Sequence, residues 1–133
     1  MIVIQEPFIT VTWDETNQWV FAEWHQNAAV ETQIAIATRL LELSTQHKSR
    51  KLLVDTTIIS VVVDETFQKW YTETWMPAAS SNGLKEVAFI VPKAFLTRFK
   101  FYTANLKQPL EAKDLHIQYF DTRVDAETWL KNP

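Results

Sequence analysis

Hydrophobic and polar positions along this chain change period several times, and each change predicts a new element. Phe8 to Trp13 alternates, with Ile9, Val11 and Trp13 on one face and threonines on the other, as in a strand with one wetter face. Asp14-Glu15-Thr16-Asn17 is turn chemistry, and Trp19 to Trp24 returns as the second strand of an antiparallel hairpin. From Ala28 to about Gln46 the period becomes helical: Val30, Ile34, Ala37, Leu40, Leu41 and Ser44 form one stripe, with Glu31, Gln33, Arg39 and Glu42 mostly outside it. Lys51-Leu52-Leu53-Val54-Asp55 is a short apolar run closed by an acid, which predicts a central strand buried on both faces.

Asp64 then reads as the N-cap of a helix carrying Phe67, Trp70, Tyr71, Thr74 and Trp75 and stopped by Pro77, with a loop over 78–83. Val87 to Val91 predicts another strand buried on both faces. A third helix is expected over 93–106, with Phe95, Phe99, Tyr102 and Leu106 on one side and a basic face of Lys93, Arg98, Lys100 and Lys107. Leu115 to Phe120 reads as an edge strand. A last helix, Thr122 to Lys131, is expected to dock through Val124, Ala126, Trp129 and Leu130.

The order is therefore ββαβαβαβα in a single α/β domain over 1–133. The expected sheet is five-stranded, mixed and mostly parallel, in sequential order, with the first strand antiparallel to the rest and the helices mainly on one face. Because the middle strands are apolar on both sides, the second face needs a cover, and a second subunit or an apolar ligand is the natural expectation.

Composition narrows the function classes. The chain has 133 residues, 47% of them hydrophobic, enough for one core. It has no cysteine, which removes disulfides and thiolate chemistry. A net charge of −3 argues against generic nucleic-acid binding. A single glycine, Gly83, leaves no glycine-rich loop to cradle a phosphate. Met1 to Ile4 is too short for a signal peptide and no apolar run approaches a membrane span, so a cytoplasmic protein is expected.

Candidate chemistry is sparse. Glu23 and His25 stand two apart at a strand end, but no third residue follows at a metal-ligand spacing, and they read as exposed polar residues. Asp55 lies where an open α/β sheet puts functional acids, though a turn in which its carboxylate accepts from Thr56 or Thr57 is the better account. The following loop is unusual: Ile58, Ile59, Val61, Val62 and Val63 are apolar where loops carry polar residues, so with Asp55 they form the expected interaction or ligand surface.

The element order, the Leu-Val-Asp strand, Trp70 and Trp75, Pro77, Gly83-Leu84-Lys85-Glu86-Val87-Ala88 and the closing Ala126-x-x-Trp129-Leu130 resemble the SpoIIAA-like family. These are small bacterial proteins of the STAS-type fold, shared with Sec14-like lipid-binding domains. The resemblance covers nearly the whole chain. It implies a non-enzymatic regulatory module without a cofactor, expected as a homodimer that meets a protein partner, with binding of a small apolar ligand or lipid as the alternative. Phosphorylated relatives carry Asp-Ser-Ser-Gly at the helix start, where this chain has Val63-Asp64-Glu65-Thr66, so no phosphosite is carried over.

Overall fold

The computed structural model describes residues 1–57, 65–94, 96 and 114–133. Among these, six strands form one mixed sheet in sequential order. In chain order they and the helices are β1 (Ile2–Glu6), β2 (Ile9–Asp14), β3 (Trp19–Trp24), α1 (Val30–Gln46), β4 (Lys51–Asp55), α2 (Glu65–Trp70), α3 (Met76–Ser81), β5 (Glu86–Ile90), β6 (His116–Phe120) and α4 (Arg123–Lys131). The β1–β2 and β2–β3 pairs are antiparallel, and β3 through β6 run parallel. The α/β class, the sequential order and the central place of β4 follow the sequence pattern.

The expectation of five strands is corrected by β1. This stretch is short and mostly exposed, so its alternation carries little signal; it is held by backbone pairing with β2, and Trp13 N–H donates to Met1 O at 2.9 Å. The hairpin turn closes on Asp14, whose two carboxylate oxygens accept from the Asn17 backbone and side-chain N–H groups at 3.0 and 2.9 Å. Burial pushes the Asp14 pKa up, but these bonds, the Thr16 backbone N–H and the nearby charge of Arg123 together hold it below the usual value.

Strand alternation sends side chains to two separate cores. Val20, Ala22 and Trp24 of β3, Leu52 and Val54 of β4, and Val87 and Phe89 of β5 face α1, α2 and α3. Trp19, Phe21, Leu53, Ala88 and Ile90 face the other way and meet Ala126 and Leu130 of α4. Among the described residues three helices share one face, in keeping with helices mainly on one side, but the expectation that a subunit or ligand must cover the other face is corrected: the chain's own last helix packs there. Thr122 caps α4 by accepting from Asp125 N–H at 3.2 Å, and the Arg123 guanidinium lies 4.3 Å from the centre of the Phe21 ring. Lys51 Nζ donates to Leu130 O and ties the far end of the helix to β4. Of the four residues expected to dock, Ala126 and Leu130 are fully buried and Trp129 packs against the same core, while Val124 is 72% exposed.

Pro77 does not stop its helix. A π-helical turn, Tyr71–Trp75, joins α2 to α3, and Met76 N–H donates to Tyr71 O, five residues back. The wider turn passes the chain into α3 with Pro77 in its first turn, where a missing N–H costs little. The stretch expected as a loop over 78–83 is therefore helical as far as Ser81. The predicted N-cap Asp64, the apolar loop residues Ile58, Ile59, Val61, Val62 and Val63, and nearly all of the helix expected over 93–106 lie outside the described residues.

Two helices end in the same way. Leu84 N–H donates to Ala79 O and Gly83 N–H to Ser80 O, with Gly83 at φ +99°. Ser49 N–H donates to Ser44 O and Lys48 N–H to Thr45 O, with Lys48 at φ +54°. Both are Schellman closures, which favour glycine at the left-handed position. Gly83→Ala is expected to cost about 1 kcal/mol from backbone strain alone, since an added Cβ meets nothing within 4 Å. Lys48→Gly should move stability the opposite way by a few tenths to about 1 kcal/mol. Urea melts of the pair read both signs.

Candidate functional site

The carboxyl ends of the parallel strands and the helices above them enclose a cavity of about 50 Å³. Trp24, Leu52, Val54, Phe89 and Tyr119 supply its floor from β3, β4, β5 and β6. Gln33, Ile36, Ala37 and Leu40 of α1 line one side, and Phe67, Gln68, Tyr71 and Trp75 the other. Each strand contributes its last inward-pointing residues, because the pleat sends only alternate side chains to this face.

Aromatic rings are stacked in series around Tyr71. Its ring centre lies 5.9 Å from Phe67, 5.1 Å from Trp75 and 6.2 Å, edge-on, from Phe89, which stacks in turn on Tyr119 at 5.4 Å. The π turn carries both ends of the tightest pair, and Tyr71 and Trp75 lie nearly parallel at 15°. Trp75 is pinned further by donating its indole N–H to Ala37 O at 2.9 Å, which locks α1 to the π turn. Thr56 clips β4 to β5: both its N–H and its Oγ1 donate to Ile90 O, at 2.8 and 2.9 Å.

Of the polar side chains in the lining, Gln33 and Tyr71 hold buried atoms without a partner among the described residues. Gln33, expected outside the helix stripe, is 6% exposed, and its Nε2 donates to Ala28 O at 2.8 Å. Tyr71 is 8% exposed. Burial pushes its phenol pKa well above the ordinary value, and neighbouring Tyr119 adds to the shift. A raised folded-state pKa means that Tyr71 contributes full stability below the unfolded value near pH 10 and loses it as pH rises through the folded value. Tyr71→Phe is therefore expected to flatten the alkaline limb of the stability profile relative to the unaltered chain, and to be neutral or stabilising by about 1 kcal/mol at pH 7, since it removes a buried hydroxyl without a partner among the described residues. Urea melts of both proteins from neutral pH to about pH 11 test the sign.

Of the residues expected to form the site, only Asp55 is described. It closes β4, and its Oδ1 accepts from Thr57 N–H at 2.9 Å and from the Thr57 hydroxyl. Asp55→Asn keeps that acceptor and should be near neutral, whereas Asp55→Ala should cost roughly 1 kcal/mol in thermal or urea unfolding. His25 shares a hydrogen bond of 2.7 Å between its Nε2 and Thr10 Oγ1, and Glu23 pairs across the hairpin with Thr10 through the backbone. Among the described residues no three His, Asp or Glu side chains converge as a metal site would require.

The sequence pattern put the expected surface beyond the carboxyl ends of the strands, near which this cavity also lies, but did not single out Gln33 or the central position of Tyr71. Tyr71 was visible only as one more member of a helix stripe. Gln33 stands three residues after Val30 and four before Ala37, a spacing that carries it to the edge of the buried face.

No protein-family model matches this chain, and no curated protein matches it either. The fold itself defines the class: an α/β domain with a six-stranded mixed sheet in sequential order and an aromatic-lined cavity at the carboxyl end of its parallel strands. Among the described residues no helix is long and apolar enough to cross a membrane.

Proposed function

We propose that this chain is a cytoplasmic, non-enzymatic regulatory domain of the SpoIIAA-like, STAS type that binds a small, largely apolar molecule at the carboxyl end of its sheet. The observation that carries the reading is the cavity between α1 and the π turn, walled by five aromatic rings in contact with one another. Small-molecule sites in open α/β sheets lie at this end, and such sites are mostly apolar with few polar groups. The resemblance to Sec14-like lipid-binding domains supports the same choice. Native mass spectrometry of freshly purified protein tests it. A retained small mass that is lost on denaturation is the expected result. A clean mass, with tryptophan fluorescence indifferent to added apolar small molecules, overturns it.

A second reading, an interaction module that pairs with its own copy, is favoured by one observation. β1 forms one edge of the sheet, and Met1 and Ile2 are 74% and 55% exposed. On this reading light scattering gives a dimeric mass that Ile2→Lys halves. A monomeric mass for the unaltered chain removes it.

A further inference from the structure

Two atoms in the cavity wall stand without a hydrogen-bond partner among the described residues: the Tyr71 hydroxyl oxygen and Gln33 Oε1. Both residues are more than nine-tenths buried and both line the same cavity. The Gln33 amide is oriented by its other end, because Nε2 donates to Ala28 O; the free oxygen can only accept. The Tyr71 hydroxyl can donate and accept. Buried polar atoms left in this state cost free energy that an occupant with matching groups recovers.

From this we infer that the cavity takes the hydroxyl-bearing end of a small, neutral, otherwise apolar molecule, an alcohol, held between Tyr71 and Gln33. The inference rests on the ligand-binding reading above and adds the chemistry of the ligand. A hydroxyl answers both orphan atoms at once: its oxygen accepts from Tyr71 and its hydrogen goes to Gln33 Oε1. The remaining wall, including Ile36, Leu40, Val54 and Phe89, asks for a hydrocarbon body. A carboxylate is disfavoured because the described lining holds no cationic side chain to offset its desolvation. A volume of about 50 Å³ admits a hydroxyl and a few carbons, which sets the size of a probe.

The test is a ¹H–¹⁵N NMR titration of the full chain with three probes of one shape. They are 2-methylpropan-1-ol, its methyl isostere 2-methylbutane, and the anion 2-methylpropanoate. The Trp75 indole N–H and the Gln33 side-chain amide report on the site. The alcohol and the hydrocarbon are expected to shift these signals and the anion to leave them unmoved. Tyr71→Phe and Gln33→Leu should each lower the ratio of alcohol to hydrocarbon affinity by about tenfold, the worth of one net hydrogen bond. Signal dispersion shows which variants are folded, and either one alone suffices. If the hydrocarbon binds and both variants leave the ratio unchanged, the apolar site stands and the hydroxyl assignment falls. Anion binding as strong as the alcohol's overturns the neutral-ligand inference. If no probe moves any signal, the cavity is not a ligand site, and both readings fall together.

Discussion

Replacing Trp75 with alanine is expected to lower the unfolding free energy by about 4 kcal/mol, the largest loss from any single cavity residue. Trp75 is 2% exposed, stacks on Tyr71 at 5.1 Å and donates its indole N–H to Ala37 O. Alanine at this position removes the stacked ring and the indole donor and leaves a void between α1 and the π turn. The two helices that roof the cavity would lose their direct bond. Phenylalanine restores most of the volume but not the donor, so Trp75→Phe should recover more than half of the loss. Urea unfolding followed by far-UV circular dichroism reads both values. A Trp75→Ala protein within about 1 kcal/mol of the parent would show that the site collapses around the missing ring and that the indole bond is dispensable.

Leu130→Ala is expected to cost about 3 kcal/mol without changing oligomeric state. Leu130 is fully buried against the sheet face built by Trp19, Phe21, Leu53, Ala88 and Ile90. α4 is short, nine residues, and this leucine and Ala126 are its fully buried residues, with Trp129 packed beside them. A helix of that length has little stability of its own, so its hold depends on packing, the Thr122 cap and the Lys51 bond to Leu130 O. Denaturant melts paired with light scattering make the measurement. A large stability loss at constant mass means that the last helix is the cover of this face. A stable variant whose mass falls would mean that a second subunit shares that role, and would return the interaction reading to first place.

The two cores share strands. β4 and β5 carry residues for both: Leu52, Val54, Val87 and Phe89 face the cavity side, while Leu53, Ala88 and Ile90 face α4. Packing on the two faces therefore meets at the same two strands.

Much of this architecture was legible in the sequence because it rests on local period. Alternation over 8–13 and 19–24 with turn residues between them specified the hairpin, and two apolar runs flanked by helical patterns specified β4 and β5 as interior parallel strands. The lone glycine sat where the chain leaves a helix, and its positive φ follows from the closure that glycine favours. These features depend on nearest neighbours along the chain, and nearest neighbours are what a sequence displays.

The remaining features were decided by contacts between distant segments. β1 exists because the outer edge of β2 offers unpaired backbone groups, a fact about β2 and not about Ile2 to Glu6. α4 lies on the second face because Ala126 and Leu130 meet Leu53, Ala88 and Ile90; its own pattern says only that it has one apolar side. Pro77 would end a helix in isolation, and the π turn before it, packed as Tyr71 on Trp75 and Trp75 on α1, lets the chain continue. Gln33 is polar by every sequence measure, yet it is buried and lines the cavity together with Tyr71 and Trp75 of the π turn. Sequence period thus determined which segments are strands and helices, while long-range burial decided the sixth strand, the face of the last helix and the polar atoms of the site, because those depend on which surfaces meet.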